Sequence, residues 1–206
     1  MRGQLLLLLA AGSVARVEAA TIQVPGDYER IQDAIDAASD GDEVIIALGT
    51  YVESMIDFRG KAITVHGPEP GVGIGETQPV VDGGGAGSVF LFQSAEPAEA
   101  KLAHLTIRGG NAENGGGIRC EQASPTIEHC TIENNSALAE GGGFTIGDDE
   151  SHATLVDCLI AENQAEYAGG GVYGAAEATP TFMSRPSLPR NPERVPRPAV
   201  RPHVGA

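Results

Sequence analysis

Two histidines and one aspartate recur at a single position of a repeated sequence pattern. His104, His129 and Asp157 each lie three residues before an isoleucine of the repeat. If the repeating units stack as β-strands, equal positions lie about 4.8 Å apart, and these side chains form a column on the outer surface. Imidazole and carboxylate groups in such a column could bind a transition metal or line a sugar-binding groove. Strand neighbours also stack in this way without any ligand, and that interpretation stays open.

An acidic triplet, Asp148-Asp149-Glu150, is the other candidate ion site. Carboxylate oxygens are the ligands that Ca²⁺ prefers, so Asp148 and Asp149 could hold calcium. The triplet lies between predicted strands and has no basic residue nearby in the sequence, which favours a solvated turn. No other cofactor is expected, because the glycine-rich stretches lack the helix and the Lys-Ser/Thr pair of a phosphate-binding loop.

Cys130 and Cys158 also occupy equal positions of the repeat, as do Asn135 and Asn163. Neighbours in register on parallel strands rarely offer disulfide geometry, so we favour buried free thiols over a bond between the two cysteines. Asparagine tolerates left-handed backbone conformations, and its amide can hydrogen-bond from one unit to the next. Asn135 and Asn163 are therefore predicted to form a structural ladder.

These candidates all depend on the repeat itself. Glycine triplets occur at 115–117, 141–143 and 169–171, with spacings of 26 and 28 residues. Two further columns share this period. They are Ile107, Ile132 and Ile160, and Ile127, Leu155 and Phe182. A period of this length is typical of a solenoid, in which stacked units share one apolar interior.

Within each unit, apolar residues alternate with polar ones, as in a strand with one buried face. Leu105 and Ile107 are predicted to face inward, whereas His104 faces outward. Each unit has room for three short strands but not for a covering helix. The sequence therefore predicts an all-β chain folded as a parallel β-helix. A short helix over 28–38, with Asp27 as its N-cap, would close the N-terminal end.

Two stretches resemble known families. Residues 22–67 and the sequence VVDGGG at 80–85 resemble the pectin-lyase-like right-handed parallel β-helix superfamily. Residues 104–182 resemble the repeats of polymorphic outer membrane proteins, whose aromatic-x-x-Asn motif has the form Ile132-x-x-Asn135 here. The resemblance implies a right-handed coil and a bacterial surface protein. Enzymes with this fold act on acidic glycans, so it also admits a polysaccharide lyase.

The two ends of the chain differ from its middle. Residues 1–20, with a basic residue before an apolar run and small residues at the end, are typical of a secretory signal peptide. Residues 184–206 contain five arginines and six prolines and predict a disordered tail. This tail is interpreted as the product of a shifted reading frame or truncated gene, or as a basic segment that binds anionic envelope material. Between the ends we expect an N-terminal segment with the capping helix at 21–43 and a β-helix of about five turns at 44–183.

The charge and the hydropathy of the chain argue against nucleic-acid binding and against a transmembrane helix. The 206-residue chain has a net charge of −15. Nucleic-acid binding is not expected, because a phosphate backbone is held by a surface rich in lysine and arginine. A transmembrane helix is not expected either, because no segment is long and apolar enough.

We therefore expect an exported, noncatalytic β-helix protein, secreted or located at the cell surface or outer membrane, whose partner is a polysaccharide or an envelope surface. One alternative is a divergent or truncated pectate-lyase-like enzyme. Such an enzyme would need Ca²⁺ to bridge its acidic surface to an anionic substrate. A further alternative is a defunct fragment without a selected function.

Overall fold

The computed structural model describes residues 19–69, 78–147, 151–175, 178 and 180–183. Almost all of the predicted signal peptide lies outside these residues, as do the calcium candidates Asp148 and Asp149 and the tail at 184–206. The described residues form short strands that wind in coils, and each coil pairs with the next strand by strand.

The strands make up four sheets, named A to D here. Sheet A has the order β1 (Thr21–Val24), β2 (Glu43–Ile46), β5 (Thr64–His66), β8 (Lys101–Ala103), β12 (Thr126–Glu128), β16 (Thr154–Val156) and β20 (Thr181–Met183). Sheet B consists of β3 (Thr50–Val52), β6 (Val80–Asp82), β9 (Thr106–Arg108), β13 (Thr131–Glu133) and β17 (Leu159–Ala161). Sheet C consists of β4 (Ile56–Asp57), β7 (Phe90–Phe92), β11 (Ile118–Cys120), β15 (Phe144–Ile146) and β19 (Val172–Gly174). Sheet D consists of β10 (Asn111–Asn114), β14 (Ser136–Glu140) and β18 (Gln164–Ala165), and in every sheet neighbouring strands run parallel.

Apolar residues at equal positions of successive coils stack in the interior. Val81, Ile107, Ile132 and Ile160 form one such column, each paired in register with the next. The first three are fully buried, and Ile160, in the last described coil, is half-buried. Full burial of one such side chain contributes about 1.5–3 kcal/mol, which a single coil could not gain alone. The predicted all-β parallel β-helix is confirmed.

Sheet D was not predicted from the sequence. Its strands read NAEN, SALAE and QA, and they lack the apolar alternation that identifies the other strands. Their pairing is supplied by the neighbouring coils, since Asn111 aligns with Ser136 and Ser136 with Gln164. The coils that begin at β8, β12 and β16 therefore hold four strands each, and the prediction of three was wrong for them.

A single helix lies at the N-terminal end of the described chain. Helix α1 spans Ile31–Ala37, shorter than the predicted 28–38. Ile31 and Ile35 are fully buried, as a cap over the first coils requires. Asp27 does not cap the helix, and that part of the prediction was wrong; its carboxylate instead accepts a hydrogen bond within the preceding turn.

Side chains from distant loops close both ends of α1. Glu53 accepts hydrogen bonds from the backbone N–H groups of Ile31 at 2.8 Å and Gln32 at 3.3 Å. A carboxylate at this end also suits the positive end of the helix dipole. Lys61 Nζ donates to the carbonyl oxygens at the other end, including that of Ala38 at 2.7 Å. Neither partner is adjacent in sequence to the helix, which is why local capping rules missed them.

The other end of the described solenoid is open. Strands β17, β18, β19 and β20 are each the last strand of a sheet within the described residues. The apolar side chains of Leu159, Phe182 and Met183 are more than half exposed there. In the described part of the chain, no helix has both the length and the apolar character needed to cross a membrane.

Candidate functional site: a polar groove on sheet A

A groove crosses the outer face of sheet A from its second strand to its fifth. Its cavity has a volume of about 200 Å³. We call it the sheet A groove. Its lining consists of Glu43, Thr64, His66, Glu69, Lys101, Ala103, His104 and Glu128.

Strand periodicity and register position these side chains. Val65 points into the core, so its neighbours Thr64 and His66 point outward. His66, Ala103 and Glu128 lie in one row because their strands pair in register. The small side chain of Ala103 leaves space between its two larger neighbours and forms the floor of the groove.

His66, which lines the groove, has a buried hydrogen-bond acceptor. Its Nδ1 lies 2.7 Å from the carbonyl oxygen of Gly67, which can only accept, so this nitrogen carries the proton. In the neutral ring, Nε2 is then an acceptor. This atom is buried without a hydrogen-bond partner and lies 3.7 Å from Oε1 of Glu43, which is another acceptor.

His104 lies at the corner between β8 and β9, in a left-handed conformation with φ of 54°. Its ring stacks on that of His129, with centroids 4.9 Å apart and planes inclined by 11°. Burial lowers the pKa of His104, and the neighbouring His129 and His66 lower it further. The carboxylates of Glu69 and Glu128 act in the opposite direction. The net effect favours a neutral imidazole.

The three residues predicted as a metal column do stack, at the turns that follow successive strands of sheet A. His104, His129 and Asp157 follow β8, β12 and β16 at equivalent positions, and all three have positive φ. Imidazole lone pairs lie in the plane of the ring, so two nearly parallel stacked rings do not converge on one ion. Among the described residues, no group of three or more His, Cys, Asp or Glu side chains is arranged to hold a metal. His104, His129 and Asp157 line one cavity, but within the described chain they are not arranged to hold a metal ion.

A second cavity adjoins the sheet A groove at His104. It has a volume of about 290 Å³ and is also lined by Gln78, His129 and Asp157. Nε2 of Gln78 donates to the carbonyl oxygen of His129 at 2.7 Å, which holds the segment before β6 over this corner. The polar surface thus continues from sheet A towards sheet B.

The charges of the sheet A groove are unequal. Three carboxylates line it, those of Glu43, Glu69 and Glu128, against one ammonium group. That ammonium, of Lys101, lies 3.2 Å from Oε2 of Glu128. With His104 neutral, the groove has an excess of negative charge and of hydrogen-bond acceptors.

No family model, curated protein or solved structure matches the chain.

Only His104 among the groove residues was predicted from the sequence. A partial signal existed, because outward positions of the strands TVH, KLA and TIE carry Thr64, His66, Lys101 and Glu128. Thr64 and Lys101 pair in register although 37 residues separate them, well outside the period of the repeat. The insertion in this coil concealed the alignment.

Asn135 and Asn163 form contacts from coil to coil. Nδ2 of Asn135 donates to Oδ1 of Asn163 at 3.0 Å, and Nδ2 of Asn163 donates to the carbonyl oxygen of Ile132 at 2.8 Å. Oδ1 of Asn135 accepts from the backbone N–H of Gly110 at 2.9 Å, and its side chain is buried. The left-handed residues are the preceding ones, Asn134 and Glu162, not the ladder asparagines.

Cys130 and Cys158 are free thiols. Cys130 is buried and Cys158 half-buried, at equivalent positions of successive coils. Sγ of Cys130 contacts the carbonyl oxygen of Leu102 at 3.7 Å, and that of Cys158 contacts the carbonyl of Ile127 at 3.4 Å. Each thiol thus has a backbone acceptor in the preceding coil.

Proposed function

We propose that this protein is an exported, noncatalytic β-helix protein that contacts a glycan or an envelope surface through the sheet A groove. The observation that carries the proposal is the row of His66, Ala103 and Glu128, in which two polar side chains flank a small one on adjacent strands. Strands in a packed solenoid hold these groups at fixed spacing, so a ligand meets a preformed surface.

A glycan suits this surface for two reasons. Sugar hydroxyl groups both donate and accept hydrogen bonds, which matches a lining of imidazole, carboxylate, ammonium and threonine hydroxyl groups. An extended polymer along the solenoid axis would also meet a new coil about every 4.8 Å. Export, through the signal peptide proposed at 1–20, would bring the protein to such polymers.

The contacts of the basic groups support a noncatalytic role. Lys101 is held in an ion pair with Glu128 at 3.2 Å, and His104 is stacked on His129. A general base needs an available lone pair directed at the substrate. Lys101 is engaged in its ion pair, the burial of His104 restricts its approach to a substrate, and Nε2 of His66 is buried 3.7 Å from the Glu43 carboxylate.

The family resemblance belongs to this proposal. Parallel coils, a helical cap and recurrent glycine corners support a relationship to the pectin-lyase-like superfamily and to polymorphic outer membrane protein repeats. A fold of this kind hosts many functions, so the groove carries the functional argument.

The test fills the groove and measures glycan binding. Ala103→Tyr places a ring on the floor of the groove, and Val156→Tyr places the same ring in the same outward row beyond Glu128. We expect the first variant to weaken binding to an immobilised oligosaccharide panel by about tenfold or more, and the second to leave it unchanged. Absence of binding to every glycan and envelope preparation, or equal binding by both variants, would contradict the proposal.

The second candidate is a divergent pectate-lyase-like enzyme, favoured by the presence of Lys101, His66 and His104 in one groove. The purified protein is incubated with polygalacturonate and Ca²⁺, and the ultraviolet absorbance of unsaturated products is followed. We expect none. Products that disappear with a chelator and with the double change Asp148→Asn and Asp149→Asn would establish the enzyme instead.

A further inference from the structure

The sheet A groove is lined by three carboxylates and one ammonium group. We infer that its ligand is a glycan that carries protonated amino groups; this inference rests on the glycan-binding function proposed above. It specifies the ligand class of that site and makes anionic uronate polymers the disfavoured ligand.

The sheet A groove contains a pair of facing acceptors. Nε2 of His66 and Oε1 of Glu43 are 3.7 Å apart, and the His66 nitrogen is buried without a hydrogen-bond partner. The proton on Nδ1 is directed to Gly67, so it is not donated towards Glu43. A buried acceptor without a donor is costly, and a ligand donor that reaches Nε2 as the half-exposed Glu43 side chain moves aside removes that cost.

An ammonium group satisfies this pair of acceptors better than a hydroxyl group does. A hydroxyl group has one hydrogen and can satisfy one of the two acceptors, whereas an ammonium group has three. Two acceptors 3.7 Å apart can both lie within about 3 Å of one nitrogen atom, so a single ammonium group can donate to both. The carboxylate of Glu43 adds a charge-assisted hydrogen bond, which is stronger than a neutral one.

The charge around the His66–Glu43 pair also favours an ammonium group. Lys101 pairs with Glu128 at 3.2 Å, and burial together with the adjacent histidines disfavours a charge on His104. Glu43 and Glu69 remain to set the sign of the potential in the groove. An ammonium group is attracted to this site, whereas a uronate carboxylate is repelled.

The experiment compares two tetrasaccharides that differ only in the amino group. Glucosamine tetramer and N-acetylglucosamine tetramer are titrated into the full chain near neutral pH by calorimetry. The groove variant is Glu43→Gln, and the control is Glu113→Gln, an exposed strand residue of sheet D with the same change of charge. Circular dichroism verifies that both variants are folded.

We expect the glucosamine tetramer to bind the unmodified protein about tenfold more tightly than the acetylated one. Glu43→Gln should remove most of this difference, and Glu113→Gln should preserve it. If both tetramers bind equally and Ala103→Tyr weakens both, the glycan groove stands and the amino-group inference is wrong. Equal weakening by Glu43→Gln and Glu113→Gln would mean general attraction to an acidic surface and would also overturn the inference. Binding of neither tetramer overturns the inference as well; the proposed function is then decided separately by the oligosaccharide panel and Ala103→Tyr.

Discussion

The imidazole rings of His104 and His129 stack on adjacent coils, with centroids 4.9 Å apart and planes inclined by 11°. Both residues occupy left-handed corners that join sheet A to sheet B. Protonation of both rings would place two positive charges face to face. The resulting repulsion would lower the stability of the solenoid in acid, at the corner that borders the proposed binding groove.

The stability of the protein should fall on acidification through His104. Burial, followed by the charges of His129 and His66, lowers the pKa of this group in the folded state, although Glu69 and Glu128 oppose the shift. The unfolded chain then binds the proton at a higher pH than the folded one. The contribution to stability is thus present above the ordinary histidine pKa of about 6.5 and is lost as the pH falls below it.

Urea denaturation at a series of pH values measures this effect. His104→Asn removes the titrating group and keeps a residue that tolerates positive φ. We expect its free energy of unfolding to depend less steeply on pH than that of the unmodified protein between about pH 7 and 5. His152→Asn, at an exposed position, is the control. Identical pH profiles for His104→Asn and the unmodified protein would contradict the prediction.

The Asn135 ladder should be a large contribution to stability. Asn135→Ala removes the acceptor of the Gly110 N–H and the donor to the carbonyl oxygens of Ile107 and Glu133, while the backbone N–H of residue 135 still donates to Oδ1 of Asn163. We expect a loss of about 1–3 kcal/mol, because the buried N–H of Gly110 is left without an acceptor. Asn111→Ala, at an exposed position of sheet D, should cost well under about 1 kcal/mol. Similar unfolding free energies for the two variants would show that the ladder is not important.

The glycine triplets should be required for close approach and not only for backbone freedom. Gly115 has φ of +64°, and a Cβ there would lie 2.6 Å from the carbonyl oxygen of Ile118. Gly85 has φ of +76° with nothing within 4 Å of the added atom. Gly85→Ala should cost about 1–2 kcal/mol for the left-handed conformation alone. Gly115→Ala should cost about 1–3 kcal/mol more, because the steric conflict adds to it. Chemical denaturation measures both, and equal losses would refute the steric argument.

The thiols should be protected in the folded protein. Burial raises the pKa of the Cys130 thiol far above its ordinary value and raises that of Cys158 in the same direction. Because the thiolate is the reactive form, native protein should be alkylated very slowly at Cys130, and unfolded protein rapidly at all three cysteines. Mass spectrometry after iodoacetamide treatment provides the measurement. Rapid labelling of native Cys130, or a Cys130–Cys158 disulfide in a non-reducing peptide map, would contradict this expectation.

The fold was largely predictable from the sequence because its signal is repeated. The Ile107, Ile132 and Ile160 column, the glycine corners and the inward cysteines recur with one period, and each coil repeats the same local rule. The sequence by itself therefore determined the parallel solenoid and its apolar interior. It did not reveal sheet D, whose polar strands are defined by backbone pairing with neighbouring coils rather than by their own pattern.

Only the tertiary structure decided where the polar surface becomes a site. Thr64 and Lys101 are adjacent in sheet A although 37 residues separate them, so no periodic analysis could place His66 beside Ala103. The same holds for Glu53 and Lys61 at the ends of α1. Which residues are buried in the core depends on residue type, and residue type can be read from the sequence. A groove depends on which distant side chains share one face and how their lone pairs and protons are directed, and these are properties of the folded chain.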